Sequence, residues 1–314
     1  VSVLVTGATG FIGAALVTEL VHKKISLIAC VRKNSFRVPE KVIQVEVGEL
    51  LGDTNWSNAL DNNIEVIIHL AARAHIINDK ALDPLTEFRK INVEATLNLA
   101  KQAVKFGVKR FIFVSSIGVN GSYNTRPFSE MDEVNPSEPY AISKLEAEQG
   151  LLALVKKTDM ELIIIRPPLV YGVSAPGNFS RLLKWGSKGI PLPFGAIDNQ
   201  RSLVALENLV SFIIHCIDHP KAANEVFLIS DGEDVSTTLL LQKVANVFGK
   251  NPLLVPVPVN FMRFFAGLLG RVDMADRLFD SLQVDSSKAC NLLGWEPIVT
   301  MDEQLKKIAA EGIR

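Results

Sequence analysis

Cysteine is scarce in this chain, neither sign of charge dominates, and apolar residues never run long enough to span a bilayer. The three cysteines, Cys30, Cys216 and Cys290, are odd in number and far apart, with no C-x-x-C pair or Cys/His cluster. That excludes a disulfide framework and a metal site, and implies small buried or half-buried thiols in a reducing compartment. No apolar run reaches the roughly 18 residues of a membrane span, and no basic-then-apolar signal opens the chain. The expected compartment is the cytoplasm, although an opening at Val1 rather than methionine leaves room for residues ahead of it. The 33 basic residues nearly cancel the 34 acidic ones, so nothing points to a polyanion such as nucleic acid as a partner. Internal repeats and low-complexity tracts are missing as well.

What the 314 residues do hold is apolar content enough for one large α/β domain or one and a half, and a glycine-rich opening. In VSVLVTGATGFIG, the apolar run of Val1, Val3, Leu4 and Val5 predicts a buried parallel strand. Gly7, Gly10 and Gly13 follow it. The first permits a tight strand-to-helix turn, the second lets backbone approach a pyrophosphate, and the third lets the helix opened by Phe11 and Ile12 pack on the sheet. The helix start adds free N–H groups and a partial positive charge, so the stretch predicts a dinucleotide-binding turn.

Further strands are expected at 25–31, 42–47, 65–70, 110–115 and 161–166, with helical patterns between them. This alternation predicts an α/β fold, a Rossmann doubly wound parallel sheet over 1–170 that regains a strand about 200–230. A smaller, mainly helical C-terminal region, 171–199 and 231–314, is expected to bind the substrate. Where an acidic residue would select NAD, the second strand ends in Arg32 and Lys33, two cations that suit a 2′-phosphate. NADP(H) is therefore expected, with NAD the alternative. Glu49 and Leu50, after the third strand, can place a side chain near the adenine. Leu70, Ala71, Ala72 and Arg73 end the fourth, where small residues let a ligand lie against backbone. His69, inside an apolar run, reads as a satisfied core histidine rather than a catalyst. The apolar stretch 261–269 reads as core or interface packing rather than a membrane-surface helix.

The chemistry-bearing residues come later. Ser115 and Ser116 end the fifth strand, and Tyr140 and Lys144 stand four apart on one face of the next helix. Proximity to the ammonium is expected to lower the phenol's pKa from its ordinary value near 10. Tyr140 can then give or take an alcohol proton while a nicotinamide takes or gives the hydride, and Ser116 holds the same oxygen in line.

Taken in order, TGATGFIG, HLAA, Asn92, FVSS and YAISK closely resemble the extended short-chain dehydrogenase/reductase family, over essentially the whole chain. The resemblance implies Ser116, Tyr140 and Lys144 as a catalytic trio, with Lys144 also on the nicotinamide ribose, Asn92 supporting the site from behind, and Ser115 and Pro167 beside the cofactor. Arg166-Pro167, Tyr171-Gly172, Gly177-Asn178-Phe179 and the run from Arg201 to Val204 are similar to nucleotide-sugar members, in which the matching asparagine and arginine bind the diphosphate of a UDP-sugar. By that likeness Asn178 and Arg201 would hold the diphosphate while Ser116 and Tyr140 meet the sugar. Two departures narrow the reading. Ser116 is followed by Ile117-Gly118-Val119 rather than the Thr-Asp-Glu of sugar dehydratases, which argues against dehydration. Asn120 precedes Gly121 where many 4-epimerases carry tyrosine, and their C-terminal Arg-x-Gly-Asp is missing, leaving Arg271 or Arg277 as its substitute.

The leading expectation is therefore NADPH-dependent reduction of the C4 keto group of a UDP-4-keto-6-deoxy-N-acetylhexosamine, for surface polysaccharide. The alternative is a UDP-hexose 4-epimerase with tightly bound NAD. The long helical patterns at 84–107 and 140–157 imply a homodimer joined by a four-helix contact, as in members of the family.

Overall fold

The valine- and isoleucine-rich runs become strands β1 (Ser2–Thr6), β2 (Ser26–Val31), β3 (Ile43–Glu46), β4 (Val66–His69), β5 (Arg110–Val114) and β6 (Glu161–Arg166). Three further strands are short, β7 (Leu169–Tyr171), β8 (Arg201–Ala205) and β9 (Glu225–Leu228), and β10 (Asp234–Val235) is shorter still. The computed structural model describes residues 1–61, 63–74, 83–270 and 272–312, apart from the side chains of Asn178, Asp273 and Met274. Seven strands pair in parallel in the order β3-β2-β1-β4-β5-β6-β9. The order reverses between β1 and β4, and the carboxyl ends of those two strands open the crevice in which such sheets bind ligands.

Helices α1 (Phe11–His22), α2 (Ser57–Leu60), α3 (Pro84–Arg89), α4 (Thr96–Lys105) and α5 (Pro139–Val155) lie in the crossovers. Side chains alternate across each strand, which sorts the core into two layers. Val3 and Val5 face Leu16, Val17 and Leu20 of α1, while Leu4 faces the other way, into a layer that holds Leu99 and Ala103 of α4 and Ala147 and Leu151 of α5. The predicted helix at 84–107 is present with one alteration. Asp83 caps it by accepting the Thr86 N–H at 3.2 Å, Gly107 closes it at φ +73, and Lys90–Ala95 between α3 and α4 winds as a π turn.

Beyond β6 the chain adds α6 (Asn178–Lys188), α7 (Leu206–His215), α8 (Thr237–Val247), α9 (Val259–Leu268), α10 (Val272–Phe279), α11 (Ser287–Leu293) and α12 (Met301–Glu311); α7 and α11 pack into the α1 layer of the large sheet, while α6, α8 and α12 build a second lobe. A small sheet, β10-β8-β7, is buried with Phe179, Leu240, Leu241 and Leu305 in a core of its own. The return to the large sheet is narrower than expected. Only β9 makes it, β8 belongs to the small sheet, and 206–215 is helical because Leu209, Phe212 and Ile213 bury one face beside α1.

Core packing for 261–269 is corrected. Helix α9 buries none of its residues; it leans on α10, where Arg263 pairs with Asp276 and, just past the helix end, with Asp280. No helix among the described residues is long and apolar enough to cross a membrane.

Candidate active site

Four strand ends meet at the crevice, and each carries residues that the sequence singles out. At the end of β1, Gly7 takes φ +67, and a side-chain carbon placed there would stand 2.8 Å from the Ala71 N–H nitrogen in the turn after β4. One placed at Gly13 would collide with the Gly7 carbonyl, so α1 can approach the turn this closely only without a side chain. Gly10 donates to Gly7 O at 2.9 Å and caps α1 without a side-chain bond, leaving first-turn N–H groups facing the crevice mouth. At the end of β5, Ser115 Oγ is buried with no hydrogen-bond partner among the described residues. A cradle that tolerates no side chain and a buried hydroxyl lacking a partner fit a dinucleotide laid along these strand ends.

The turn after β4 is tied to the helices. Asn92, buried inside the π turn, accepts the Arg73 N–H at 2.8 Å and donates to Arg73 O at 3.2 Å and to Ser143 Oγ at 2.9 Å. Ser143 Oγ donates in turn to Tyr140 O at 2.7 Å, so one amide braces the first turn of α5. The widened turn supplies the room, as π turns do at functional sites. Phe88, which the sequence does not single out, sits edge-on to the Tyr140 ring at 6.0 Å and under the Arg73 guanidinium at 5.5 Å.

Ser116 leaves β5 in extended geometry, and its Oγ accepts the Gly118 N–H at 3.1 Å. Lys144 is buried: Nζ donates to Val114 O at 2.7 Å and stands 3.9 Å from the centre of the Phe113 ring. The expected pKa relation between Tyr140 and Lys144 is reversed. Burial pushes the phenol up to about 12, and burial lowers Lys144 to about 7, opposed only by the charge of Glu148. Helical spacing puts both groups on one face, but Nζ turns to the end of β5 rather than to the phenol.

His69 is a core histidine, as expected. Its nitrogens lie 2.8 Å from Thr6 Oγ1 and 2.9 Å from Thr96 Oγ1, and burial lowers its pKa to about 3. The unfolded chain takes up a proton near pH 6.5 that the folded chain refuses until about pH 3, so stability falls as pH drops through that window. Between pH 6.5 and 5.0 this group alone removes about 2 kcal/mol. Urea unfolding at the two pH values checks it, with His69→Asn showing the smaller difference; equal losses in both proteins contradict it.

The remaining candidates are spread along the crevice. Arg32 and Lys33 are exposed just beyond β2, and nearby Arg37, not singled out in the sequence, donates to Thr9 O at 3.4 Å in the glycine turn. Glu49 and Leu50 follow β3, with Leu50 packed on the core. Pro167, after β6, accepts the Ile117 N–H at 3.0 Å.

In the second lobe, Arg201 opens β8 and donates to the carbonyls of Arg277 at 2.9 Å and Asp280 at 3.0 Å. Arg277 reaches Glu138 at 2.7 Å, two residues ahead of Tyr140, so the lobe that carries Arg201 is latched to the start of α5. The side chain of Asn178 and all of Arg271 lie outside the described residues.

Comparison with known proteins adds four findings. Residues 3–230 match the model of the NAD dependent epimerase/dehydratase family. A UDP-glucose 4-epimerase of Vibrio cholerae is 45% identical over 98% of this chain and 94% of its own. An N-acetyl-alpha-D-glucosaminyl-diphospho-ditrans,octacis-undecaprenol 4-epimerase of Escherichia coli O157:H7 is 29% identical over 86% of this chain and 77% of its own. Among solved structures, MoeE5 in complex with UDP-glucuronic acid and NAD superposes with a TM-score of 0.79 at 26% identity, covering 99% of this chain and 98% of that one.

Proposed function

This chain belongs to the NAD dependent epimerase/dehydratase family, and from that premise we propose that it is a 4-epimerase of a UDP-hexose or UDP-N-acetylhexosamine, working with tightly held NAD. The 45% identity to a UDP-glucose 4-epimerase, nearly end to end in both chains, carries this reading over the ketoreduction that Arg32 and Lys33 favour.

Gly7, Gly10 and Gly13 with Phe11 and Ile12 would hold the pyrophosphate, and Ala71, Ala72, Ser115 and Lys144 the nicotinamide end. A nicotinamide held there would supply a reversible hydride acceptor for the sugar's C4. Tyr140 moves the proton of the C4 oxygen, and Ser116 Oγ hydrogen-bonds that oxygen. Burial holds the phenol near 12, which makes it a strong base once ionised and a proton donor in the free chain. Lys144 donates to the end of β5 at Val114 O, and Glu148, from the next turn of α5, supports its charge. The substrates named for the two curated relatives share a diphosphate on the sugar, which Arg201 suits with a guanidinium fork held by backbone carbonyls.

The test is incubation of purified protein with UDP-glucose and UDP-N-acetylglucosamine, without added cofactor. Appearance of the C4 epimer supports the proposal. Inertness with both, together with NADPH consumption on a UDP-4-keto sugar, overturns it.

That second outcome is the ketoreductase reading, favoured by the exposed Arg32 and Lys33 and by Arg37 at the glycine turn. It requires NADPH to bind at least tenfold tighter than NADH, about 1.4 kcal/mol. A homodimer through α4 and α5 belongs to the same proposal. Gly150 lets the two helices close up, since a side-chain carbon there would stand 2.7 Å from Leu97. Light scattering at micromolar concentration checks it, and a monomer contradicts it.

A further inference from the structure

Among the described residues, helix α9 is an apolar element whose large side chains face outward. Phe261, Phe264 and Leu268 are 58%, 62% and 68% exposed, and Leu269 after them is 74% exposed. At spacings of three, four and seven they form one stripe. The only charged side chain within α9, Arg263, is occupied by Asp276 on α10 and Asp280 just after it, so the outward stripe carries no charge of its own. The stripe extends through exposed Leu253 and Val255, which are held on the lobe by the Leu192–Leu254 bridge and by Gly195 N–H to Val255 O at 3.0 Å.

A row of cations lies on α6, whose end is joined to the start of the stripe through the paired 189–195 and 250–255 segments. Arg181, Lys184 and Lys188 are exposed on α6 at spacings of three and seven, and none has an ion-pair partner among the described residues. Lys250 is exposed too and lies beside Gly189, just past the end of α6. No Asp or Glu occurs from residue 162 to 197 or from 235 to 272, so the segments that supply both rows hold no carboxylate to neutralise them.

We propose that this face docks on an anionic lipid bilayer, with the phenylalanines and leucines of α9 entering the boundary of headgroups and acyl chains and the α6 row and Lys250 facing anionic headgroups. An apolar stripe flanked by unneutralised cations is what an interfacial helix presents, and each row supplies what the other lacks for lipid binding. A second copy of the chain fits less well. A two-fold contact centred on α9 would bring both copies' unpaired cations toward one another with no carboxylates in between. The inference stands apart from the proposed epimerisation, since it assigns no role to the crevice residues named above.

The test is flotation of the purified full chain with vesicles of phosphatidylcholine alone and of phosphatidylcholine with an equal share of phosphatidylglycerol. The expected result is binding to the anionic vesicles at least tenfold stronger than to the neutral ones, weakened by salt. Two variants should each reduce it at least tenfold, Phe261→Ser/Phe264→Ser/Leu268→Ser and Lys184→Glu/Lys188→Glu. Failure of the wild-type chain to float with either vesicle overturns the proposal, as does binding that neither variant reduces. If the wild-type chain ignores vesicles and the α9 variant turns a dimer into a monomer, the face joins two copies instead. Epimerase activity is measured separately in the same preparation, so loss of one reading leaves the other standing.

Discussion

Replacing Tyr140 with phenylalanine should slow C4 epimerisation about a thousandfold while leaving the fold and dinucleotide binding in place. The substitution removes only the hydroxyl. The ring keeps its edge contact with Phe88, and the backbone carbonyl still accepts from Ser143 Oγ, so α5 keeps its brace. What disappears is the group that moves the C4 proton, and a positioned acid or base contributes roughly 10²–10⁴ in rate. Turnover of a UDP-hexose and fluorescence titration with the cofactor check the two halves together. A loss below tenfold would move the proton transfer elsewhere, and weakened cofactor binding would make Tyr140 a structural residue.

The second large effect lies behind the site. Arg166, at the end of β6, meets Glu148 of α5 in a two-pronged ion pair at 3.1 and 2.5 Å and donates to Asn120 at 3.0 Å. The arginine is 6% exposed, and Glu148 and Asn120 are 1% exposed each. Glu148→Ala leaves a buried guanidinium with no counter-charge, which should cost about 3–5 kcal/mol of folding stability. Because Glu148 also supports the charge on Lys144, the variant's remaining activity should decline more steeply as pH rises than that of the wild type. Replacing both partners with methionine should recover most of the stability and none of that pH behaviour, since apolar residues of similar volume fill the space without a charge to desolvate. Urea unfolding of the three proteins decides it; a Glu148→Ala loss below about 1 kcal/mol contradicts the assignment of this pair as a buried brace.

Strands of the large sheet are legible in the chain because each is an apolar run bounded by glycine, proline or charge, and the glycine turn declares the crevice. The small sheet is not legible. Its β7 and β10 hold three and two residues, too few to show any period. The π turn around Asn92 escapes for a related reason, since one widened hydrogen-bonded turn barely disturbs a 3.6-residue pattern. Spacing correctly sets Tyr140 and Lys144 on one face of α5, yet it is silent on where Nζ points, so the sign of the phenol's shift comes out reversed. Phe88 and Glu148 are ordinary residues of amphipathic helices until the fold brings them against Tyr140 and Arg166. For α9, an apolar stripe looks the same whether it faces core or solvent, and only the packing tells them apart. The cations after β2 point toward NADP, whereas the family and the NAD-bound neighbour point toward NAD.

The most direct measurement follows a deuterium atom. Purified protein, given UDP-glucose deuterated at C4 and no added cofactor, should return UDP-galactose that keeps the label at C4, because the hydride leaves and comes back within one site. UDP-glucose recovered unchanged, or UDP-galactose carrying unlabelled hydrogen at C4, would contradict a hydride returned inside one site.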